Sequence, residues 1–313
     1  MKIRLKVTAL IPAAVFVFII LVFEVASGGS FLSSYNVINL FGQALTTIIA
    51  GLGMMCVIAM GGTDITHGSL VGMVGALSLF AVSAWGNFIM LPVALLVGIA
   101  SGFVAGFFNA KGKVPSFMVT LAMLLAMRAG VSIAIGSRTI LAPIDIVNIV
   151  TNPIFELVSV VVIIALFVYL WNYTRLGFYM RAIGENENAV KYVGINVDKI
   201  KIVAFVISGL MAAVAGFFTV SSVGGASYNL GASFEMQVMM AVFVGGVPVV
   251  GGRETQIYKV VIGALVIASL QNGLTICNVS GSVTEGISGL ILVGAVFFSQ
   301  EVSRKISDKS IRA

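Results

Sequence analysis

The stretch that comes closest to a catalytic motif is GFFNAKGKV at 106–114, which resembles a phosphate-binding loop. Its two outer glycines are one residue too far apart for the motif, and Val114 stands where a hydroxyl would hold magnesium. The chain has one histidine and two cysteines, too few for the spaced ligand sets of a zinc site. We therefore predict that this chain is not an enzyme and binds no metal and no cofactor.

Two polar segments carry the remaining chemistry. GGTDITHGS at 61–69 combines the carboxylate of Asp64 with hydroxyls and the single histidine, His67. It is either an ordinary turn or a re-entrant part of a solute path, and His67 is either a pH-sensitive group or a polar loop residue. The longer segment, 174–201, holds five basic and three acidic residues between apolar neighbours. We expect a partner protein to contact this longer segment.

The composition indicates which elements position these segments. Hydrophobic residues make up 59% of the 313 residues and charged residues only 10%, whereas charged residues are about a quarter of a soluble domain. A helix needs roughly 20 apolar residues to cross a bilayer. Ten segments qualify, near 7–27, 40–60, 68–85, 88–110, 115–137, 155–173, 201–222, 236–252, 257–276 and 283–299. We predict an all-α membrane protein with a single transmembrane domain over 1–313.

The basic residues predict the orientation of these spans. With the N-terminus in the cytoplasm, all but two of the 18 Lys and Arg residues fall in cytoplasmic segments, the exceptions being Arg128 and Arg138. Both termini and the 174–201 loop are then cytoplasmic. The net charge of +6 reports this topology rather than nucleic-acid binding. We expect the first span to be retained, because it is longer than the core of a cleaved signal peptide.

Polar residues inside the spans are the candidates for a solute path. Arg128 must face protein or water, where it pairs with Glu235 or Glu285, bonds to helix carbonyls, or contacts solute. The spans lack a convincing carboxylate for a coupling ion, which weighs against an ion-coupled transporter. Scattered groups without strong charge suit a polyol, although each of them suits a helix-to-helix bond equally well. The predicted path residues are Asn39, Gln43, Thr47, Asp64, Asn109, Thr120, Arg128, Gln237 and Asn272.

The 174–201 loop contains the pattern of a short helix with defined ends. Gly184 and the carboxylates that follow it are expected to start the helix, and Gly194 is expected to end it. A short amphipathic helix of this kind suits docking into a groove on a soluble partner.

A family resemblance extends over most of the chain. The run TRLGFYMRAIGENENAVKYVGINVDKIKIVAFVISGLMAAVAG at 174–216 resembles the signature region of permease subunits of ABC importers for ribose and related monosaccharides, which are akin to branched-chain amino acid permeases. GGTDITHGS is similar to the family's Gly-Ile-Asp-Leu-Ser-Val-Gly-Ser stretch. The segments FNAKGKVPSFMVTLAMLLAMRAG (108–130), AVFVGGVPVVGG (241–252) and GALVIASLQNGL (263–274) agree as well. His67, Ala110 and Glu254 depart from the residues that the family commonly has.

The resemblance implies a ten-helix permease similar in architecture to the membrane subunits of the cobalamin importer. It also implies a second permease subunit, identical or different, and two cytoplasmic ATPase subunits that bind ATP and magnesium. An extracytoplasmic solute-binding protein and a bacterial cytoplasmic membrane complete the system. By the same resemblance, the helix between Gly184 and Gly194 is the coupling helix that contacts the ATPase. The coupling residues are Arg181, Gly184, Glu185, Asn186, Asn188, Ala189, Val190 and Gly194.

We therefore expect this chain to translocate a small neutral solute, a monosaccharide such as ribose or another pentose or hexose, while a partner chain hydrolyses ATP. Import of branched-chain amino acids or nucleosides is the alternative within the same class. An ion-coupled secondary transporter is the alternative from a different class.

Overall fold

Helices account for nearly all of the fold. A computed structural model describes residues 2–311, with side chains over 12–297. The helices are α1 Lys2–Ala26, α2 Ser34–Ala59, α3 His67–Trp85, α4 Met90–Ala110, α5 Ser116–Ile135, α6 Ile144–Val150, α7 Pro153–Tyr173, α8 Arg175–Glu185, α9 Glu187–Tyr192, α10 Val197–Val223, α11 Phe234–Val244, α12 Ile257–Ile276 and α13 Gly281–Ile311. One short antiparallel pair joins β1 Ile140–Leu141 to β2 Gly225–Ala226. The prediction of a helical membrane protein is confirmed, with this pair as the one β element of the described residues.

Seven of the described helices are long and apolar enough to cross a membrane, namely α2, α3, α4, α5, α7, α10 and α12. The other three predicted spans contain α11, Phe234–Val244, and apolar parts of α1 and α13, whose side chains are described over Pro12–Ala26 and Gly281–Phe297. The predicted span at 236–252 was wrong in length, because α11 ends at Val244 and a turn follows. A helix as short as α11 rises only about 16 Å, about half the hydrocarbon thickness of a bilayer.

The central helix of the bundle is α2. From Ala44 to Ala59 every residue except Thr46 is buried, and the helix packs against α7, α10, α11 and α12. A helix that is apolar on all sides is expected in the interior of a bundle. Its N-terminus is defined by Ser33, whose hydroxyl oxygen accepts the Asn36 N–H. The helix α2 is therefore in contact with α7, α10, α11 and α12 at the same time.

Close contact between α4 and α10 depends on glycine. Gly98, Gly102 and Gly106 recur at every fourth residue of α4, and a Cβ at any of them would collide with the backbone of α10. Gly209 on α10 approaches Gly98 in the same way. Small residues at this spacing let membrane helices pack backbone to backbone. The two helices are therefore held as a close pair.

The outer surface is apolar where α5 and α7 face away from the bundle. Leu125, Ile133, Val161 and Leu166 are each more than half exposed. A large exposed apolar surface is expected where lipid covers a protein. The chain is accordingly a multi-pass membrane protein.

One end of the bundle combines α8, α9, the last turn of α2 and residues 245–256, and it is called the α8–α9 end below. The Gly252 N–H donates to the Ala59 carbonyl at 2.8 Å, and Trp171 Nε1 donates to the Thr255 carbonyl at 3.3 Å. The β1–β2 pair lies at the far ends of α5 and α10. The polar segments singled out in the sequence therefore fall in two places, the α8–α9 end and the interior.

Candidate functional site

The short capped helix predicted in the 174–201 loop is α9, with different bounds. Asn186 leaves helical geometry, and its side-chain oxygen accepts the Ala189 N–H at 3.0 Å, so Asn186 is the N-cap. Gly194 follows the last turn with a φ of +81°, a left-handed conformation that favours glycine. The predicted end of the helix at Gly194 is confirmed. The helix starts later than predicted, because its N-cap is Asn186, two residues after Gly184.

Gly184 and Glu185 belong to the last turn of α8. Gly184 packs so closely on the end of α2 that a Cβ would collide with the Ala59 carbonyl oxygen. Glu185 Oε1 accepts the Arg253 N–H at 2.8 Å. The prediction that Gly184 acts as a helix breaker at the start of the short helix was wrong. Gly184 lies inside α8, where the absence of a side chain lets α8 pack closely on α2. Both residues fasten α8 to the bundle.

Arg181 also faces the bundle rather than the surroundings. Its Nε donates to the Gly177 carbonyl at 3.0 Å and its Nη2 donates to the Trp171 carbonyl at 3.1 Å. The guanidinium lies 5.4 Å from the centre of the Trp171 ring, within reach of a cation–π contact. Burial, together with the nearby charge of Arg253, lowers the pKa of Arg181, which as an arginine stays protonated at neutral pH. Arg181 therefore anchors α8 to the end of α7.

The α9 segment has one buried face and one exposed face. Val190 is buried in a small apolar cluster with Ile183 and Val197. The opposite side, called the docking face below, consists of Asn188, Ala189, Lys191, Tyr192 and Val193. Tyr192 is 92% exposed and Val193 is 77% exposed. These two side chains give the polar segment an exposed apolar surface.

Glu187 joins α9 to α10. Its carboxylate oxygens lie 2.6 Å from Lys191 Nζ within α9 and 2.8 Å from Lys201 Nζ on α10. These two hydrogen bonds lower the pKa of Glu187 from its ordinary value. The α9 segment is therefore joined to α10 both through the chain and through an ion pair.

The GGTDITHGS segment is an irregular stretch buried between α2 and α3. Asp64 Oδ1 accepts the Thr66 N–H at 3.0 Å and the Thr66 hydroxyl at 2.7 Å, and Asp64 Oδ2 accepts the Ser208 hydroxyl at 2.7 Å. His67 is the first residue of α3, and its side chain is fully buried, with Nε2 3.4 Å from Ser208 Oγ. The interpretations of His67 as a loop residue and of the segment as an ordinary turn were wrong.

The same segment is held on its other side by α5. Ser116 Oγ accepts the Thr63 N–H at 3.0 Å. The Thr120 hydroxyl is fully buried, 2.9 Å from the Ser116 carbonyl and 3.4 Å from the Thr63 carbonyl. Thr120, a predicted path residue, thus lies against the segment in the interior.

Arg128 bonds to a second irregular segment, the residues just before α11. Its Nη1 donates to the Leu230 carbonyl at 2.9 Å, and its Nη2 donates to the Gly231 carbonyl at 3.0 Å. Within the part of the chain that the structure describes, no ion pair joins Arg128 to Glu235 or Glu285. Arg128 therefore bonds to backbone carbonyls, as one of the predicted alternatives had it. These carbonyls belong to turns rather than to a helix.

The first turns of α3 and α11 meet beside this segment. Leu230 lies against Gly72, and Gly231 lies against Gly68. A Cβ on Gly68 would collide with the Gly231 carbonyl oxygen and with Glu235 Oε2, so the close approach requires glycine. Glu235 Oε2 is buried and has no hydrogen-bond partner among the described residues. Two irregular segments thus bring two helix starts together inside the bundle.

A polar stripe on α2 leads to α11. Asn39, Gln43 and Thr47 recur at every fourth residue and therefore share one face of α2. Asn39 and Gln43 are exposed, whereas Thr47 is buried and its Oγ1 accepts Gln237 Nε2 at 2.9 Å. The structure thus brings four of the predicted path residues into one line.

Asn109 and Asn272 lie elsewhere and have partners within the chain. Asn109 Nδ2 donates to the Val114 carbonyl at 2.9 Å, just after the end of α4. Asn272 is buried and its Oδ1 accepts Asn36 Nδ2 at 2.8 Å, which joins α12 to α2. The predicted path residues therefore form separate groups rather than one continuous lining.

The family model described as "Branched-chain amino acid transport system / permease component" matches residues 36–296. The chain belongs to this permease family. It is 31% identical to a ribose import permease protein of Haemophilus influenzae, with 88% of each chain covered. It is 30% identical to a xylose transport system permease protein of the same organism, covering 91% of this chain and 94% of the relative. A fructose import permease protein of Rhizobium meliloti is 28% identical, with 96% and 87% covered. No solved structure matches the chain.

The matched range of the permease family begins in the first turn of α2 and ends within α13, so it contains both the α8–α9 end and the interior segments. A permease component of an ABC importer provides the membrane part of the system, and ATP hydrolysis resides on a separate subunit. The docking face and the interior contacts described above therefore belong to the membrane subunit of a transporter.

Two residues of this permease escaped the sequence interpretation. Ser208 lies in the apolar run of α10, and nothing in its spacing distinguishes it from a packing serine. Glu156 lies within the predicted span at 155–173 and is 8% exposed, next to Gly42 of α2. The rule that singled out Arg128, an ionisable residue inside a span, applies equally to Glu156. The prediction that the spans lack a convincing carboxylate for a coupling ion did not consider Glu156.

Proposed function

We propose that this permease is the membrane subunit of an ATP-driven importer for a neutral monosaccharide, with ribose, xylose and fructose as the first solutes to test. The names of its relatives, which are ribose, xylose and fructose permeases, support the sugar class. Branched-chain amino acids are the first alternative, since the description of the family model names them. Nucleosides are the second alternative within the import class.

The observation that carries this proposal is the docking face of α9. It is exposed and partly apolar, it lies in the one long polar segment of the chain, and α10 follows directly after it. A partner that binds there acts on α10, which packs against α2, α3 and α4. An ATPase subunit that docks on α9 would thus reach the core of the permease through one continuous helix.

In the proposed topology the chain crosses the membrane ten times, with both termini and the α8–α9 end in the cytoplasm. The helix α11 and the irregular residues 245–256 together form the eighth crossing. The architecture is similar to that of the cobalamin importer's membrane subunits. A second permease subunit, two ATPases that hold ATP and magnesium, and an extracytoplasmic solute-binding protein complete the transporter in a bacterial cytoplasmic membrane.

The solute path is proposed to follow the polar stripe of α2. Asn39, Gln43, Thr47 and Gln237 offer uncharged donors and acceptors in a line, which suits the hydroxyl groups of a sugar. Asp64, Thr120 and Arg128 support the irregular segments at the inner boundary of that path. Asn109 and Asn272 support helix ends and helix contacts, since each has a partner within the chain.

The test is solute uptake by proteoliposomes that contain this permease with its cognate ATPase and binding protein. Uptake of labelled ribose, xylose or fructose should require ATP and should survive ionophores that collapse ion gradients. Leucine and adenosine, supplied in the same assay, represent the two alternative solute classes. Uptake of leucine or adenosine without any sugar uptake would contradict the sugar assignment.

The ion-coupled alternative has one observation in its favour, the buried carboxylates Asp64 and Glu156. Ion-coupled carriers use such groups to bind the coupling ion. The same proteoliposomes separate the two classes when they are loaded with ions but no ATP. Uptake that persists without ATP and stops when an ionophore is added would overturn the importer assignment.

A further inference from the structure

Ser208 of α10 lies between Asp64 and His67 of the GGTDITHGS segment. Its hydroxyl donates to Asp64 Oδ2 at 2.7 Å. His67 Nε2 lies 3.4 Å from the same Oγ atom, and the serine proton is already engaged with Asp64. The three side chains are almost fully buried, with relative exposures of 0 to 1%. One hydroxyl thus connects α10 to both the segment and the first residue of α3.

The other hydroxyl groups near the end of α10 behave differently. Ser221 is also fully buried, and its hydroxyl donates to the Phe217 carbonyl of the same helix at 2.9 Å. Thr219 donates to the Ala215 carbonyl in the same manner. Such bonds back to the preceding turn are usual for serine and threonine in membrane helices. Ser208 departs from this pattern, because its bond leaves its own helix.

The backbone around Ser208 is fixed from the other side by α2. A Cβ on Gly53 would press against the Ser208 carbonyl oxygen and Cα, so the two helices touch at this position. The backbone of Ser208 is therefore in direct contact with α2. The hydrogen bond to Asp64 is the connection through which α10 holds the irregular segment.

The position of Ser208 links the docking face to the interior. It lies about 16 Å along α10 from Val197, and α10 is joined to α9 by the Glu187–Lys201 ion pair at 2.8 Å. Beyond Asp64 and His67, the first turn of α3 meets the start of α11 where Gly68 abuts Glu235. A series of direct contacts thus runs from α10, through the Asp64 carboxylate, to the place where the two irregular segments meet.

We propose that Ser208 is a positioning residue that couples the movement of α10 to segment 60–66 and to the first turn of α3 during transport. The proposal rests on the import function proposed above. In the absence of the hydroxyl, α10 moves under the ATPase without carrying the segment with it. ATP hydrolysis then continues, while solute movement falls behind.

The test compares Ser208→Ala with the matched control Ser221→Ala in the complete transporter, reconstituted with its ATPase and binding protein. The measured quantity is the amount of ribose, xylose or fructose taken up per ATP hydrolysed. Loss of a buried hydrogen bond to a carboxylate should lower this ratio about tenfold in S208A. The ratio of S221A should equal that of the wild type, and the ATPase that co-purifies with each variant should be unchanged.

A double-mutant cycle with Asp64→Asn separates coupling from mere packing. If Ser208 acts through Asp64, the S208A/D64N pair should lower the ratio little more than either single change does. If S208A does not assemble with the ATPase, Ser208→Cys replaces it, because a thiol is a weaker donor of similar size. Reduced ratios in S208C and non-additive effects would support the proposal.

An S208A ratio equal to that of S221A, or additive effects in the cycle, would overturn the role of Ser208 while leaving the importer intact. Absence of ATP-dependent uptake by the wild-type complex would instead overturn the proposed function and the coupling role together. The two failures are therefore distinguished by the wild-type measurement in the same experiment.

Discussion

Residues 60–67 and residues 186–194 both interrupt apolar helices, but their surroundings are opposite. In the first region Asp64 and His67 are buried, and the polar groups are bonded to α5 and α10. In the second region α9 is capped by its own Asn186, and its outer face is exposed. A buried interruption must find its hydrogen-bond partners inside the protein, whereas an exposed one can use water.

This difference teaches where substitutions should act. In the interior, the side chains of Asp64, Thr120 and Arg128 form hydrogen bonds to groups that have little access to water, so the loss of one of them should cost stability. On the docking face, the side chains have few contacts within the chain, so their loss should leave the fold intact and affect only partner binding. The predictions below start with the largest expected effect.

The largest effect is expected for Arg128→Ala. The change leaves the Leu230 and Gly231 carbonyls without their donor, which should cost about 2 to 4 kcal/mol and lower the Tm of the purified permease. Arg138→Ala is the matched control, because Arg138 is exposed and its side chain makes no hydrogen bond within the described residues. Equal Tm values for the two variants would contradict the expectation that interior polar side chains contribute more to stability than exposed ones.

A smaller effect is expected for Gly184→Ala at the boundary between the two regions. The added methyl group would collide with the Ala59 carbonyl, and overpacking of this kind should destabilise the fold by about 1 to 3 kcal/mol. Gly286→Ala on α13 is the control, because nothing lies near a Cβ at that position. Since alanine favours helix more than glycine does, this control should be neutral or slightly stabilising. A G184A protein as stable as the wild type would contradict the close packing of α8 against the end of α2.

The smallest effect is expected for Glu187 and should depend on pH. Its pKa is lowered in the folded protein by Lys191 and Lys201, so the ion pairs stabilise α9 above the unfolded pKa. That stabilisation is lost as the pH falls through the lower folded value. Because the pairs are partly exposed, the contribution should be below about 1 kcal/mol.

The measurement for Glu187 is the Tm difference between the wild type and Glu187→Gln as a function of pH. The difference should be constant near neutral pH and should shrink towards zero in acid. A difference that grows on acidification would show that Glu187 does not ionise in the way proposed for its two lysine partners.

The sequence predicted the helical class and most spans, because continuous apolar runs have few other solutions in a membrane. It also predicted the short helix in the polar loop and its end, since Gly194 is a local signal, but it did not identify Asn186 as the residue that starts the helix. It did not predict the length of α11. The run AVFVGGVPVVGG is apolar throughout, and only the turn at Gly245 and Gly246 ends the helix.

The interior contacts were not predictable in the same way. Ser208 and Asp64 are 144 positions apart in the sequence, and no local pattern connects them. Gly184 read as a helix breaker, because the sequence does not reveal that Ala59 packs against it. Long-range packing decides the role of such residues, whereas capping and hydropathy are local properties.

The central claim is that the exposed face of α9 binds the ATPase subunit. Its most direct test is the Kd of the purified permease for that ATPase, compared between Tyr192→Ala and the control Tyr35→Ala, which removes another largely exposed tyrosine, from the start of α2. The account predicts that Y192A weakens binding at least about tenfold, with Y35A unaffected and the Tm of both proteins unchanged. Equal affinities for Y192A, Y35A and the wild type would contradict it.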